Sequence, residues 1–218
     1  MVRELNKSIK VNVRRSLYTF LDPYSEVAER YRLLRNNMSF AAEGRSLKSI
    51  VVTSPAAGEG KSTAAVNLAV SMTYRGDKVL LIDANIRKPL LHKVFHMKMS
   101  TGLTNVLDKQ LSYDDAILET DVSGLYLLPS GPMLHHAAEL LDSKSMDELL
   151  EYYAKTFDAI IIDCPQVLGV SETNAIAGKC DGVLMLVKSG KTKEAKALEA
   201  KRSLDFAGAK VLGVVLNK

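Results

Sequence analysis

The stretch SPAAGEGKST sets two glycines, a lysine and two hydroxyls between an apolar run, SIVVT, and a helical pattern, AAVNLAVSM. A tight turn built from Gly58, Gly60 and small residues such as Ala57 directs successive backbone N–H groups inward. The helix after it offers its positive N-terminal end. Such a turn cradles phosphate, which makes Ala57, Gly58, Glu59, Gly60, Lys61, Ser62 and Thr63 candidate nucleotide-binding residues. Lys61 is expected to reach the β- and γ-phosphates, and the Ser62 hydroxyl to ligate Mg²⁺. The complete phosphate-loop pattern has a further glycine where this chain has Pro55. An ordinary strand-to-helix turn is the alternative, but the order of strand, turn and helix favours nucleotide binding.

Two further apolar runs end in carboxylates. VLLIDANIRKP places Asp83 at the carboxyl end of a predicted strand, with Asn85 and Arg87 just beyond, and DAIIIDCP does the same for Asp163. An aspartate that closes a strand is most often a helix cap or turn residue. Here both stand where parallel sheets bind ligands, outside the carboxyl ends of the strands and beside the phosphate loop. A Mg²⁺ ion shared with a triphosphate gives the anionic pair a physical purpose.

Positioning these groups requires a scaffold, and the rest of the chain supplies its pattern. Apolar runs (SIVVTS, KVLLIDA, LYLLPSG, DAIIIDCP, DGVLMLVKSG, KVLGVVLNK) alternate with helical segments. Strands apolar throughout and joined by helices predict an α/β P-loop NTPase fold, a mostly parallel central sheet with helices on both faces. Gly76 and Gly208 each end a helix where the chain turns into a strand. Residues 1–23, with Arg3, Lys7, Lys10, Arg14 and Arg15, lack a sustained period and predict an extended basic arm; residues 24–218 predict a single domain. Val27, Tyr31, Leu34 and Met38 recur at helical spacing, which predicts an amphipathic helix over 24–42. Between Ile86 and Val122 the pattern predicts short helices beyond the strand ends.

With 218 residues, 47% of them hydrophobic, the chain has ample material for one core. A net charge of +4 is too small to mark a nucleic-acid-binding surface. No apolar run approaches the roughly 20 residues of a membrane helix, and MVRELNKSIK lacks the apolar core of a signal peptide. The protein is therefore expected in the cytoplasm, reaching a membrane only through a partner or surface charge. Cys164 and Cys180 show no metal-ligand spacing and are expected as reduced core thiols.

Taken together, GEGKS, LLIDANIRKP and IIIDCP resemble the Walker A, A′ and B motifs of the bacterial tyrosine kinases that control capsule and exopolysaccharide synthesis. The likeness runs from about Glu29 to the end of the chain. It includes PSGP at 129–132 and AELL at 138–141. The resemblance implies a Mg·ATP-dependent protein-tyrosine kinase, with ATP or ADP and Mg²⁺ as its cofactors. By position, Lys61 and Ser62 would hold phosphate and Mg²⁺, Thr63 would contact the α-phosphate, and Asp163 would bind the metal through water. Asp83 matches the aspartate that accepts the tyrosine proton or orients its hydroxyl, and Arg87 would contact phosphate or a neighbouring subunit. Glu29, Arg32 and Arg35 match the ExxRxxR element associated with ring-shaped self-assembly; a solvated charged helix face is the plainer alternative. The implied partners are a separate membrane activator whose cytoplasmic tail completes the site, further copies of the chain, and tyrosine-containing protein substrates.

The chain departs from this family in two places. Asn85 replaces a second A′ aspartate, keeping a carbonyl oxygen for a metal or its water but not the charge. The tyrosine-rich tail of the family has no counterpart in the sequence given, whose last tyrosine is Tyr153. Among the others, Tyr18 and Tyr24 are the candidate acceptors. Two rivals share the fold: a deviant-Walker ATPase that localises a partner, and a nucleotide-gated scaffold without turnover. The first carries a signature lysine where this chain has Ala56. Lys61→Met is expected to abolish ATP binding, measured by fluorescent-nucleotide titration, because it removes the charge facing the phosphates; unchanged affinity refutes the site.

Overall fold

Runs such as SIVVT, VLLID and AIIID have no polar face, so each needs cover on both sides. In the computed structural model, which describes residues 17–42, 44, 46–134 and 136–218, they form β1 (Ser49–Thr53), β2 (Val79–Asp83) and β5 (Ala159–Asp163), buried throughout. Four more strands, β3 (Leu118–Glu119), β4 (Leu125–Leu128), β6 (Gly182–Lys188) and β7 (Val211–Asn217), complete one sheet. Its order is β3-β4-β2-β5-β1-β6-β7, parallel except where β3 runs antiparallel to β4. β1 thus lies in the interior, between β5 and β6.

Side chains alternate between the faces, so the sheet divides two cores. Leu80, Ile82, Ile160 and Ile162 face one, and Val79, Leu81, Ala159 and Ile161 the other. Three helices cover the second core: α2 (Glu26–Ala41), α3 (Lys61–Thr73) and the short α4 (Leu91–Val94). The first is covered by α5 (Leu103–Leu107), α6 (Ala137–Asp142), α7 (Lys144–Thr156), α8 (Glu172–Ala177) and α9 (Glu194–Phe206). Two short helices, Leu91–Val94 and Leu103–Leu107, do occur between Ile86 and Val122, but most of that stretch is turn and loop, and it also carries β3, which the sequence pattern does not indicate. Gly76 (φ +93°) and Gly208 (φ +73°) sit in the left-handed region that turns each helix into its strand.

The helix predicted over 24–42 begins one residue after its cap. Ser25 Oγ accepts the Ala28 N–H at 3.2 Å and donates to the Asp22 carbonyl at 2.7 Å. Met38 is buried, with Tyr31 and Leu34 packed against the core.

The predicted arm needs correction at its near end; residues 1–16 lie outside the described residues. Tyr18–Leu21 forms a helical turn, α1, that packs onto α3. The buried Asn67 of α3 accepts the Thr19 N–H at 2.8 Å and donates to the Thr63 carbonyl at 2.8 Å, while the Tyr74 hydroxyl donates to the Thr19 carbonyl at 3.1 Å. A backbone whose polar groups are met this way has no reason to stay extended in water. Asn67→Ala removes the acceptor from a buried N–H. It is expected to cost about 1–3 kcal/mol in denaturant unfolding and to open residues 17–22 to limited proteolysis.

Candidate active site

The turn between β1 and α3 has the shape its glycines allow. Gly58 (φ +77°) and Gly60 (φ +92°) are both left-handed. At Gly60 a Cβ would also fall 2.3 Å from Asn217 Nδ2 and displace that side chain, which adds to the preference for glycine set by the positive φ. The first internal bond of α3 is Ala64 N–H to the Gly60 carbonyl. The N–H groups of Lys61, Ser62 and Thr63 therefore point out of the helix end with no intrahelical acceptor. Together with the positive end of a thirteen-residue helix they form an anion seat.

That seat opens into a groove of about 430 Å³ lined by Ala57, Gly58, Gly60, Lys61, Ser62 and Thr63, by Asn85, Arg87, Lys88 and Leu90, and by Pro165, Gln166 and Val170. Lys61 is only 7% exposed. Burial pulls its ammonium below the usual lysine range, while Asp163 and then Glu59 push it back up. A second cavity of about 310 Å³ shares Gly60 and Thr63 with the groove. It continues between apolar and aromatic walls, among them Tyr18, Tyr31, Leu34 and Val215.

The two aspartates are cross-strand neighbours: Asp83 pairs in register with Asp163 at the ends of β2 and β5, and both are fully buried. Their surroundings differ. Asp83 Oδ1 accepts the Asn85 N–H at 3.2 Å, and Oδ2 accepts those of Leu90 and Leu91, each at 3.0 Å. It does not line the groove; it holds the loop that carries Asn85 and Arg87 to the groove wall. Asp163 has no hydrogen-bond partner on either carboxylate oxygen. Burial, and then the charge of Asp83, raises it above the ordinary carboxylate range, with the Ser62 hydroxyl and Lys61 pulling less strongly the other way. Burial likewise raises Asp83, against its three N–H bonds.

Orphaned oxygens on a buried carboxylate, next to a serine hydroxyl, fit a hard cation. Among the described residues there is no group of three or more His, Cys, Asp or Glu side chains that could hold a metal unaided. Few protein oxygens at the mouth of a phosphate seat suit Mg²⁺, which keeps most of its waters and takes ligands from phosphates.

Arg87 is brought to the groove, where its Nε donates at 2.5 Å to Glu172 Oε1 of α8. Glu172 is a partner that sequence reasoning missed, since no spacing links it to RKP. The Glu59 side chain turns away from the groove toward Thr192 and Ala56, two contacts also without a sequence signal. Arg32 bonds Glu29 at 3.1 Å and the Pro23 carbonyl at 2.6 Å, and Arg35 bonds the Ser71 carbonyl of α3. The ExxRxxR side chains thus brace α2 within their own chain, far in sequence from the groove. Tyr24 is 95% exposed, whereas Tyr18 lines the second cavity.

A family model described as an AAA domain matches residues 47–198. The tyrosine-protein kinase YwqD of Bacillus subtilis is 39% identical over 213 residues, covering 98% of this chain and 90% of its own. The chain belongs to the bacterial tyrosine-kinase family. The crystal structure of the chimerical protein CapA2B2 superposes with a TM-score of 0.89 at 34% identity, over 93% of this chain and 89% of that one. The cell division ATPase MinD of Pyrococcus furiosus follows at a TM-score of 0.67 and 28% identity, over 78% and 71%. The tyrosine-kinase family and the ATPase thus share the P-loop NTPase fold, with the kinase match the longer and closer.

In the metal-free protein the aspartate pair binds protons more tightly folded than unfolded. Its contribution to stability is therefore full below the ordinary carboxylate range and is lost as pH rises through the raised values. Asp163→Asn is expected to flatten this decline in thermal melts run across a pH series with chelator present. An unchanged slope means the pair does not titrate as its burial requires.

Proposed function

We propose that the chain transfers the γ-phosphoryl group of Mg·ATP to tyrosine residues of proteins, and that this controls capsular or exopolysaccharide synthesis. The observation that carries it is a phosphate seat with Lys61 and Ser62 placed beside the registered Asp83–Asp163 pair, in a chain 39% identical to a tyrosine-protein kinase. The N–H groups of Lys61 to Thr63 and the Lys61 ammonium would hold the phosphates, with Thr63 nearest the α-phosphate. The second cavity suits the flat base.

Ser62 and Asp163, the latter through water, would hold Mg²⁺, with Asn85 offering a carbonyl oxygen; the ion would neutralise charge on the β- and γ-phosphates. The tyrosine oxygen would bond to the γ-phosphorus as the bond to the bridging β-phosphate oxygen breaks, with ADP as the leaving group and the hydroxyl proton passing to solvent water. We assign Asp83 to orient that hydroxyl. Its three N–H bonds mean that the segment from Asn85 to Leu91 has to shift before the carboxylate meets substrate. Positioning supplies most of the rate in such a transfer, so a strongly basic carboxylate is not needed. Arg87, held by Glu172, steadies the transferring phosphate.

We further propose a separate membrane activator whose cytoplasmic tail completes the site, and self-association, in a ring, through α2 and its Glu29, Arg32 and Arg35. Among the described residues no helix is long and apolar enough to cross a membrane, so recruitment there is assigned to the partner.

Incubation with γ-labelled ATP and Mg²⁺, with and without candidate activator tails, separates the possibilities by counting phosphotyrosine and free phosphate. Label on tyrosine that falls about a hundredfold in Asp83→Ala, with ADP binding retained, supports the kinase. Free phosphate alone transfers the assignment to a localising ATPase. Neither product, despite bound ATP, leaves a nucleotide-gated scaffold.

A further inference from the structure

A buried anion inside a loop that receives phosphate is an electrostatic liability, and Glu59 is one. It is 5% exposed, and it is missing from the groove lining although its neighbours on both sides are there. Its carboxylate is spent elsewhere. Oε2 accepts the Ala56 N–H at 3.0 Å, closing the turn from within, and Oε1 accepts the Thr192 hydroxyl. Thr192 Oγ1 in turn accepts the Lys188 N–H at 3.1 Å, and its own N–H bonds the Lys188 carbonyl at 2.9 Å, so it is locked to the last residue of β6. The Glu59 carbonyl accepts Asn217 Nδ2 at 2.9 Å, from the end of β7. One residue therefore ties the phosphate loop to the ends of two strands that reach the site from the far side of β1.

Given the nucleotide site assigned above, we propose that Glu59 is a positioning residue: fastened to Thr192, it holds Gly58 to Lys61 in the phosphate-receiving conformation. The turn after β6 thereby sets nucleotide affinity without touching nucleotide. Hydrogen bonds to a buried carboxylate are among the stronger ones in proteins, and they fix direction as well as distance. The negative charge beside the phosphates is tolerated because two donors and the nearby Lys61 meet it.

The test uses Mg·ADP and inorganic tripolyphosphate as probes in the full chain, with Glu59→Ala, Glu59→Gln, Thr192→Val and the Glu59→Ala/Thr192→Val double variant. Binding by calorimetry and melting temperature are measured for each. Glu59→Ala and Thr192→Val are each expected to weaken both probes about tenfold, since both act on the phosphate end. The double variant is expected to be no weaker than the poorer single one, because the two side chains form one connection. Glu59→Gln, whose amide can accept from Ala56 and donate to Thr192, should recover part of the loss. Additive losses overturn the proposal, as does a lower melting temperature with unchanged affinities. A loss in Glu59→Gln equal to that in Glu59→Ala also overturns it, by showing that charge rather than connection matters. If Glu59→Ala does not fold, Thr192→Val, which lies in a partly exposed turn, carries the same comparison. Failure of the wild type to bind both Mg·ADP and tripolyphosphate would overturn the nucleotide site itself.

Discussion

Asp83 and Asp163 stand side by side at the ends of adjacent strands, both out of water, and like charges so placed repel strongly. The groove is arranged around that repulsion. Three N–H groups of the segment after β2 converge on Asp83, while the Lys61 charge lies close enough to Asp163 to favour its ionised form. The two oxygens of Asp163 have no hydrogen-bond partner of full geometry, and the Ser62 hydroxyl and Lys61 offset its burial only in part. On the proposed function, the phosphate loop, the lysine and the A′ loop would be parts of one charge balance that closes with cation and nucleotide bound.

The sheet keeps that balance in place. β2 and β5 pair residue by residue up to the two aspartates, so their separation is a lattice constant of parallel β-structure and not a matter of loop flexibility. β1 sits on the other side of β5 and delivers the phosphate loop at the same level. Side chains on β1, β2 and β5 are locked by two cores, whereas Asn85, Arg87 and Lys88 ride on the loop beyond. The site thus combines a floor set by the sheet with one wall carried by a loop, which Asp83 and Glu172 hold in place.

Much of this was legible in the residues. Apolar runs ending in Asp83 and Asp163 predicted strands of a covered sheet, because five buried residues in a row have no other economical arrangement. The order of glycines and lysine predicted the phosphate turn, since its chemistry is carried by backbone N–H groups and depends little on context. Side-chain direction was not legible. Glu59 lies in the loop by sequence yet faces away from the groove, because its partner Thr192 comes from a distant turn. Glu172 behaves alike toward Arg87. The segment before Pro23 looked unanchored because its hold on α3 runs through backbone groups of Thr19, which no side-chain pattern reports. Arg32 and Arg35 share a helix side as their spacing indicated, but that spacing could not show whether the partners were carbonyls of the same chain.

The position of β1 has a consequence for how the molecule is made. Ser49 pairs with Ile160 on one side, and Ile50 with Gly182 on the other, so the strand that carries the phosphate turn gains its neighbours only when most of the chain has left the ribosome. Until then both edges of β1 lack their native partners, and unpaired strand edges are prone to pair with other strands. The residues of the phosphate turn are thus made early, while the two strands that flank β1, β5 and β6, are made late.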